Sequence, residues 1–232
     1  MVTPCGTVLS AGDPVVTYVA RNLEPYRGFH IFMRALEKLQ RRHKTVHALI
    51  VGGDDVSYGR KPRAAANWRE HMLHEVKPDP SRTHFLGKLP RPQYIRVLQV
   101  SAAHAYLSYP FVLSWSLLEA MACGARIVAS DTAPVREVMR DAENGMLADF
   151  FDAERIATLL GEMLASGGST DVMRAQARAA AAGYSHAAGL RGYSALIAPA
   201  NEPAVERVNW DVPPGDGELR RHVWVPITIG EL

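Results

Sequence analysis

The chain has 232 residues, a formal net charge of +2, and 47% hydrophobic against 22% charged residues. These ordinary globular values exclude a largely disordered chain and a coiled coil, and the small charge gives no general attraction to nucleic acid. Two cysteines, Cys5 and Cys123, are too few for a disulfide-stabilised scaffold. No apolar run approaches the ~18 residues of a membrane span, and the first residues do not resemble a signal peptide. We therefore expect a cytoplasmic protein, with attachment to the inner face of the membrane as an open alternative.

Six short apolar or β-branched runs alternate with longer amphipathic stretches. The predicted strands span 15–20, 46–53, 83–87, 103–109, 126–130 and 145–150. The first predicted helix begins near Phe29, and the others span about 66–76, 92–100, 116–123, 134–140, 152–166 and 170–182. Most of the strand runs are continuously apolar, which is typical of a parallel sheet covered on both faces. The alternation predicts an α/β fold with a doubly wound parallel sheet, in which ligands bind beyond the carboxyl ends of the strands.

The two ends of the chain depart from this pattern. Residues 1–14 are predicted to form an N-terminal loop, and the domain itself is predicted to span 15–198. Residues 199–232 contain several prolines and no clear amphipathic helix, so we expect an irregular C-terminal tail. Within that tail, the apolar run 223–229 has the composition of an edge strand or of a partner-binding segment.

The first strand leads into a turn that carries Arg21 and Arg27 just before a helix. An arginine guanidinium binds phosphate oxygens bidentately, and a helix N-terminus adds free amides and partial positive charge. The pair is therefore a candidate diphosphate clamp, although either arginine taken alone is better explained as a surface residue paired with Glu24. After the second strand, Gly53 would allow a ligand to approach the backbone, or would simply end the strand.

The segment 109–124 joins the fourth strand to a helix. Within it, Ser116 and Glu119 have the S-x-x-E spacing of a capping box, in which the glutamate bonds back to the amide of its own N-cap residue. In the other interpretation this helix N-terminus faces the ligand cleft, and Glu119 accepts hydrogen bonds from sugar hydroxyls through its two carboxylate oxygens. The spacing alone favours the capping box.

Several common motifs are missing from the sequence. No G-x-G-x-x-G follows the first strand, and there is no G-x-x-x-x-G-K-[ST], no H-E-x-x-H and no Asp-x-Asp. A dinucleotide oxidoreductase and a P-loop NTPase therefore lose their main support. The nine histidines are scattered, and the pair His71 and His74 has no third ligand nearby. We expect neither a cofactor nor a metal.

Taken together, several segments resemble glycosyltransferase family 4, also called group 1. They are Arg21 with Arg27-Gly28, Phe85-Leu-Gly-Lys-Leu-Pro90, Leu117-Leu-Glu-Ala-Met-Ala-Cys-Gly124, Pro134-Val-Arg-Glu-Val and Glu143-Asn-Gly-Met-Leu. They occur in the order and at the spacings of the family, over about residues 15–182. The resemblance implies the GT-B architecture, in which two Rossmann-like domains face each other across a cleft. The chain resembles only the C-terminal, donor-binding domain, which implies either a donor domain standing alone or a truncated product.

The resemblance also implies roles for single residues. Arg21 and Arg27 would neutralise the donor diphosphate, and Glu119 would bind the ribose hydroxyls as the second glutamate of the family's E-x7-E motif. The remaining positions are Leu89 and Pro90 beside the base, and Ser116 and Leu117 where backbone amides meet phosphate. The sequence departs from the family at Phe111, where the first glutamate of E-x7-E would position the donor sugar.

The implied function is transfer of a hexose-type sugar from a nucleoside diphosphate sugar to an acceptor hydroxyl, with retention of configuration and without a metal. The implied partners are the donor, a glycan or lipid-linked acceptor and a separate acceptor-binding domain, but no nucleic acid. The alternative is a non-catalytic module that binds a nucleotide sugar and needs a separate acceptor domain or subunit. Phe111 favours that alternative.

Overall fold

The structure is a computed structural model, which describes residues 1–109, 112–166 and 170–197. Phe111 and the predicted tail 199–232 lie outside the described residues. Contacts divide the chain into two compact units, the first spanning Met1–Gly183 and the second beginning at Tyr184. The predicted boundaries of the donor-binding domain stay a prediction.

The first unit is built on one sheet of six parallel strands. They are β1 (Val15–Asn22), β2 (His47–Gly53), β3 (Thr83–Gly87), β4 (Ala103–Tyr106), β5 (Ile127–Ser130) and β6 (Met146–Ala148). Their order across the sheet is β3-β2-β1-β4-β5-β6, and every neighbouring pair runs parallel. The predicted α/β doubly wound sheet is confirmed, and the strand ends differ from the predicted ones by at most three residues.

Eight α-helices are found among the described residues. They are α1 (Phe29–Arg42), α2 (Trp68–Glu75), α3 (Arg91–Val100), α4 (Trp115–Ala122), α5 (Ala133–Arg136), α6 (Ala153–Ala165), α7 (Asp171–Ala182) and α8 (His186–Ile197). The first seven match the predicted helices. Helix α8, which belongs to the second unit, and a short 3-10 helix at Pro25–Arg27 were not predicted.

Helices cover both faces of the sheet. One apolar cluster joins β1 and β2 to α1, α2 and α6, and the others join the opposite face to α3, α4 and α7. Successive strand residues point to opposite faces, so Val16 and Tyr18 of β1 face α1, whereas Val15 belongs to the cluster of α3. Leu9 of the N-terminal segment is buried in that same cluster.

The direction of winding reverses between β1 and β4, the two central strands. After β1 the chain crosses the face covered by α1, whereas after β4 it crosses the face covered by α4. The loops that follow the two strands therefore separate and leave a crevice at the carboxyl edge of the sheet. The candidate residues should be sought in these loops.

Candidate functional site

The turn after β1 is fixed against the end of β4. Gly28 closes the 3-10 helix Pro25–Arg27 and begins α1, in a left-handed conformation with φ 73°. A side chain at Gly28 would place its Cβ 2.3 Å from Leu107 Cβ, so only glycine allows the turn to pack this closely. Tyr18, fully buried in β1, donates its hydroxyl to the Arg27 carbonyl at 2.6 Å.

These contacts bring the Arg27 side chain into the crevice between β1 and β4. Its Nη1 donates to Ser108 Oγ at 3.2 Å and to the Val112 carbonyl at 3.4 Å. Its Nη2 donates to Tyr58 Oη at 3.4 Å, and its guanidinium carbon lies 5.1 Å from the centre of the Tyr58 ring. The guanidinium is thus held in place by residues that follow two different strands, β2 and β4.

Tyr58 belongs to a loop after β2, which a buried carboxylate ties to the arginine turn. Glu24 is 0% exposed, and it accepts backbone amides from Ser57, Tyr58 and Gly59 at 3.1–3.2 Å. Asn22, at the end of β1, adds a bond from Nδ2 to Ser57 Oγ at 2.8 Å. Consecutive amides around one carboxylate satisfy its charge without a cation, so the loop is anchored at its base.

Arg21 lies in the cavity beside this loop. The cavity has a volume of about 570 Å³ and is lined by Arg21, Asn22, Asp55, Val56, Ser57, Tyr58 and Lys61. Tyr58 therefore lies both in the cavity that holds Arg21 and against the guanidinium of Arg27. Both predicted arginines are at the carboxyl edge of the sheet, joined through a tyrosine that the sequence did not predict. A second cavity, of about 590 Å³, lies among α1 and residues 76–82, away from the predicted residues.

The predicted capping box is wrong. The N-cap of helix α4 is Ser114, two residues before the Ser116 of the predicted box, and Ser116 lies inside the first turn, where its hydroxyl meets Ser114 Oγ at 3.0 Å. Glu119 is therefore the fifth residue of the helix rather than the third, and its carboxylate does not return to the N-cap amide. Its partners come from another helix.

Those partners are Arg91 and Tyr94 of α3. Arg91 Nη1 donates to one oxygen of Glu119 and Tyr94 Oη donates to the other, both at 2.7 Å. Burial and the bond to Glu119 raise the pKa of the Tyr94 hydroxyl, so it stays a donor at neutral pH. Helix α3 starts at the predicted base-binding segment, since Pro90 is its N-cap residue and Leu89 packs beside it in the apolar cluster of Val97. Helix α3 thus connects Glu119 with the predicted base-binding residues Leu89 and Pro90.

Two further predicted positions, Gly53 and Leu117, are packed against other residues of the chain. The space that a side chain at Gly53 would occupy is filled by Lys88 and Asn22, with Lys88 Cε 2.4 Å from the Cβ position. The Leu117 amide donates to the Ser114 carbonyl at 3.1 Å, and the Leu117 side chain is buried. No side-chain cap is found at the start of α4 within the described residues.

Reasoning from the sequence missed the roles of Glu24, Tyr58, Arg91 and Tyr94. Glu24 was considered only as an ion-pair partner of the arginines, whereas its hydrogen bonds in the structure come from backbone amides. Their contacts join residues 25 to 35 positions apart, which no local pattern encodes. Within residues 1–109, 112–166 and 170–197, no group of three His, Cys, Asp or Glu side chains could hold a metal ion. In the same residues no helix is long and apolar enough to cross a bilayer.

Comparison with known proteins identifies the family. The sequence model described as glycosyl transferases group 1 matches residues 7–180. The chain belongs to this family. The match spans the whole sheet, both predicted arginines and Glu119, and it confirms the resemblance drawn from the motifs.

Curated relatives extend well beyond the part that they share with this chain. The chain is 28% identical over 196 residues to D-inositol 3-phosphate glycosyltransferase of Nocardia farcinica, covering 82% of this chain and 42% of the relative. It is 31% identical over 164 residues to phosphatidyl-myo-inositol mannosyltransferase of Mycobacterium tuberculosis, covering 68% of this chain and 39% of the relative. The chain thus spans about two fifths of the length of the curated relatives it matches.

Solved structures confirm the fold. HepE of Anabaena, solved with UDP-glucose, superposes with a TM-score of 0.65 at 22% identity, over 79% of this chain and 48% of HepE. Sucrose-phosphate synthase of Thermosynechococcus elongatus superposes with a TM-score of 0.64 at 21% identity, over 79% of this chain and 44% of the synthase. The sheet and its helices therefore have the Rossmann-like fold of one half of a GT-B glycosyltransferase.

Proposed function

We propose that the chain is the donor-binding half of a glycosyltransferase that uses a nucleoside diphosphate sugar. The observation that carries the proposal is the crevice at the reversal point of the sheet, where the turn of Arg27 and the cavity of Arg21 meet. Ligands of doubly wound sheets bind at this point, and two guanidinium groups suit a diphosphate. HepE, which has the same fold, was solved with UDP-glucose bound.

In the proposed reaction the sugar leaves the diphosphate and joins an acceptor hydroxyl with retention of configuration. The chemical difficulty is the negative charge that grows on the departing diphosphate. Arg21, Arg27 and the amides at the N-terminus of α4 would stabilise this charge, since oriented donors stabilise a transition state most where charge develops. These groups would do this without a metal.

Glu119 would bind the ribose of the donor, and the segment Leu89–Pro90 would lie beside the base. A carboxylate accepts both hydroxyls of a diol, which suits it to ribose. Helix α3 supports this division, because it joins the Leu89–Pro90 segment to Glu119 through Tyr94. Gly53, at the end of β2, would border the same site.

The sugar acceptor would be a glycan or a lipid-linked group, bound mainly by a separate acceptor-binding domain. Two curated relatives have names that point to inositol-containing acceptors. We extend to this chain only the acceptor class and a transferred hexose. The family match does not favour the alternative of a non-catalytic nucleotide-sugar module.

Thermal unfolding with candidate donors tests the proposal. UDP, GDP, UDP-glucose and GDP-mannose should be compared with uridine and guanosine. A ligand present at one hundred times its Kd stabilises the folded chain by about 2.7 kcal/mol, which is easily measured. At least one diphosphate should stabilise the chain clearly more than its nucleoside; no stabilisation by any of the four would contradict the proposal.

The Arg27→Ala variant locates the diphosphate. A hydrogen bond between charged groups contributes about 1.5–3 kcal/mol, so affinity for the nucleoside diphosphate should fall roughly tenfold to a hundredfold. Affinity for the nucleoside should stay nearly unchanged. Arg41→Ala, which removes an exposed arginine at the far end of α1, is the matched control and should change neither affinity. Equal losses for both ligands would place Arg27 away from the phosphates.

A further inference from the structure

The carboxylate of Glu119 has two partners that differ sharply in exposure. Tyr94, which holds one oxygen, packs between two apolar clusters of the sheet face. Arg91, which holds the other oxygen, has a side chain that is 75% exposed, against 24% for Glu119. Tyr94 is therefore fixed by packing, whereas Arg91 is free to leave its oxygen without disturbing a buried contact.

Both partners come from the beginning of α3 and lie three residues apart, on one face of the helix. We propose that Tyr94 is a positioning residue that fixes Glu119 for the hydroxyls of the donor ribose, and that Arg91 is the partner which those hydroxyls replace. This inference rests on the proposed function. It assigns a specificity role to two residues that the resemblance did not include.

The number of acceptor sites on the Glu119 carboxylate explains how ribose hydroxyls replace Arg91. A carboxylate has about four lone-pair positions, and Tyr94 occupies one of them in a fixed direction. That bond sets the rotation of the carboxylate, so that the oxygen facing Arg91 keeps its orientation when Arg91 leaves. An exposed ion pair contributes little, because water and salt screen it. Two ribose hydroxyls donating to a partly buried charge form stronger bonds than the pair they replace.

The Tyr94→Phe variant tests the positioning role. Affinities for UDP and for 2′,3′-dideoxy-UDP are measured by calorimetry, and the same pair of GDP ligands covers a guanine donor. Affinity for UDP should fall about fivefold, and affinity for the dideoxy ligand less than twofold. Glu119→Gln is the reference and should remove the same preference for the diol. An equal loss for both ligands, or no loss for either, would overturn the role of Tyr94.

The Arg91→Ala variant should have the opposite effect. Removing the group that competes for the carboxylate should tighten UDP binding roughly twofold to fivefold and leave the dideoxy ligand unchanged. Arg96→Ala, which removes another exposed arginine from α3, controls for the general change in charge. Weaker binding of both ligands by Arg91→Ala would show that Arg91 contacts the nucleotide and would overturn the exchange.

Failure of this inference is distinguishable from failure of the proposed function. If the unsubstituted chain binds neither UDP nor GDP, the proposed function fails and the inference with it. If the unsubstituted chain prefers the ribose diol and Tyr94→Phe keeps that preference, only the inference fails. Thermal unfolding of each variant without ligand shows that the compared proteins are folded.

Discussion

Polar side chains lie at both edges of the sheet, but they are accessible at the carboxyl edge and buried or half-buried at the amino edge. At the carboxyl edge, Arg27 and Glu119 are partly exposed; loop residues hold Arg27, and residues of α3 hold Glu119. At the amino edge, imidazoles at the starts of β2, β3 and β4 are buried or half-buried. They are His47, His84 and His104. Burial lowers the pKa of all three, and that of His104 falls to about 4.

This contrast separates the polar residues that are accessible to a ligand from those that are buried in the fold. The amino edge holds its imidazoles neutral and bonded to each other or to hydroxyls, as in the 2.8 Å bond between His104 and Thr17. The carboxyl edge keeps charges accessible and exposes its aromatic rings. In the described part of the first unit, every exposed aromatic side chain follows a strand end at this edge: Tyr26, Tyr58, Tyr109, Trp115 and Phe151. Substitutions at the carboxyl edge should therefore alter the packing of the site loops, whereas substitutions at the amino edge should alter the pH dependence of stability.

The largest effect is expected at Gly28, which holds the arginine turn against β4. Gly28→Ala forces a side chain into a left-handed conformation and brings its Cβ within 2.3 Å of Leu107 Cβ. The strained conformation costs about 1 kcal/mol and overpacking costs about 1–3 kcal/mol more, so the free energy of unfolding should fall by about 2–4 kcal/mol. Urea unfolding measures it.

Gly87→Ala is the matched control for that prediction. Gly87 also has a positive φ, of 65°, but nothing lies within 4 Å of the Cβ position. Only the conformational cost remains, so the loss should be about 1 kcal/mol. Equal losses for the two variants would mean that the close approach of the turn to Leu107 is not what stabilises the site.

The elements of the sheet were predictable because burial leaves a periodic signal. The continuous apolar runs of the six strands and the apolar face of α1 follow directly from two-sided covering of a parallel sheet. Helix α8 was missed because none of its residues is buried, so its apolar residues follow no buried face. The 3-10 helix Pro25–Arg27 is too short to show any period.

The site was predictable only in part, for a physical reason. Arg21, Arg27 and Glu119 lie next to strand ends or helix starts, where local sequence marks the carboxyl edge of the sheet. Glu24 and Tyr94 act through partners more than twenty positions away, and those contacts depend on how loops and helices pack. The capping box failed for a related reason, because the N-cap is Ser114 rather than Ser116, and this shift of two residues moved Glu119 out of the capping position.

At the amino edge, the buried imidazole of His104 should make the stability of the fold depend on pH. Its folded pKa of about 4 lies below the ordinary value of 6.5 because of burial. The unfolded chain therefore binds a proton between pH 6.5 and pH 4 that the folded chain does not. Stability is fully present above pH 6.5 and falls by about 3 kcal/mol as the pH drops to 4. His30, whose pKa burial also lowers to about 4, adds to the fall.

Urea unfolding at pH 7 and at pH 4 measures this dependence. His104→Asn keeps a polar group toward Thr17 and removes the proton uptake, so about 3 kcal/mol of the decline should disappear. His74→Asn, which replaces an exposed histidine of α2, should leave the decline unchanged. The same decline in all three proteins would show that His104 does not account for it.

The smallest of these effects is expected at Glu24, back at the carboxyl edge. Glu24→Gln keeps the shape of the side chain but removes its charge and turns an NH₂ group toward the backbone amides of Ser57, Tyr58 and Gly59. Hydrogen bonds to a charged acceptor contribute about 1.5–3 kcal/mol, and the remaining carbonyl oxygen keeps part of this. The free energy of unfolding should fall by about 2 kcal/mol. Because these bonds anchor the loop after β2, trypsin should also cleave faster after Arg60 and Arg63, neither of which precedes a proline. Glu143→Gln removes an exposed carboxylate that pairs with Arg140, and should cost at most about 0.5 kcal/mol without changing cleavage. Unchanged cleavage in Glu24→Gln would mean that the loop holding Tyr58 against Arg27 is anchored by other contacts.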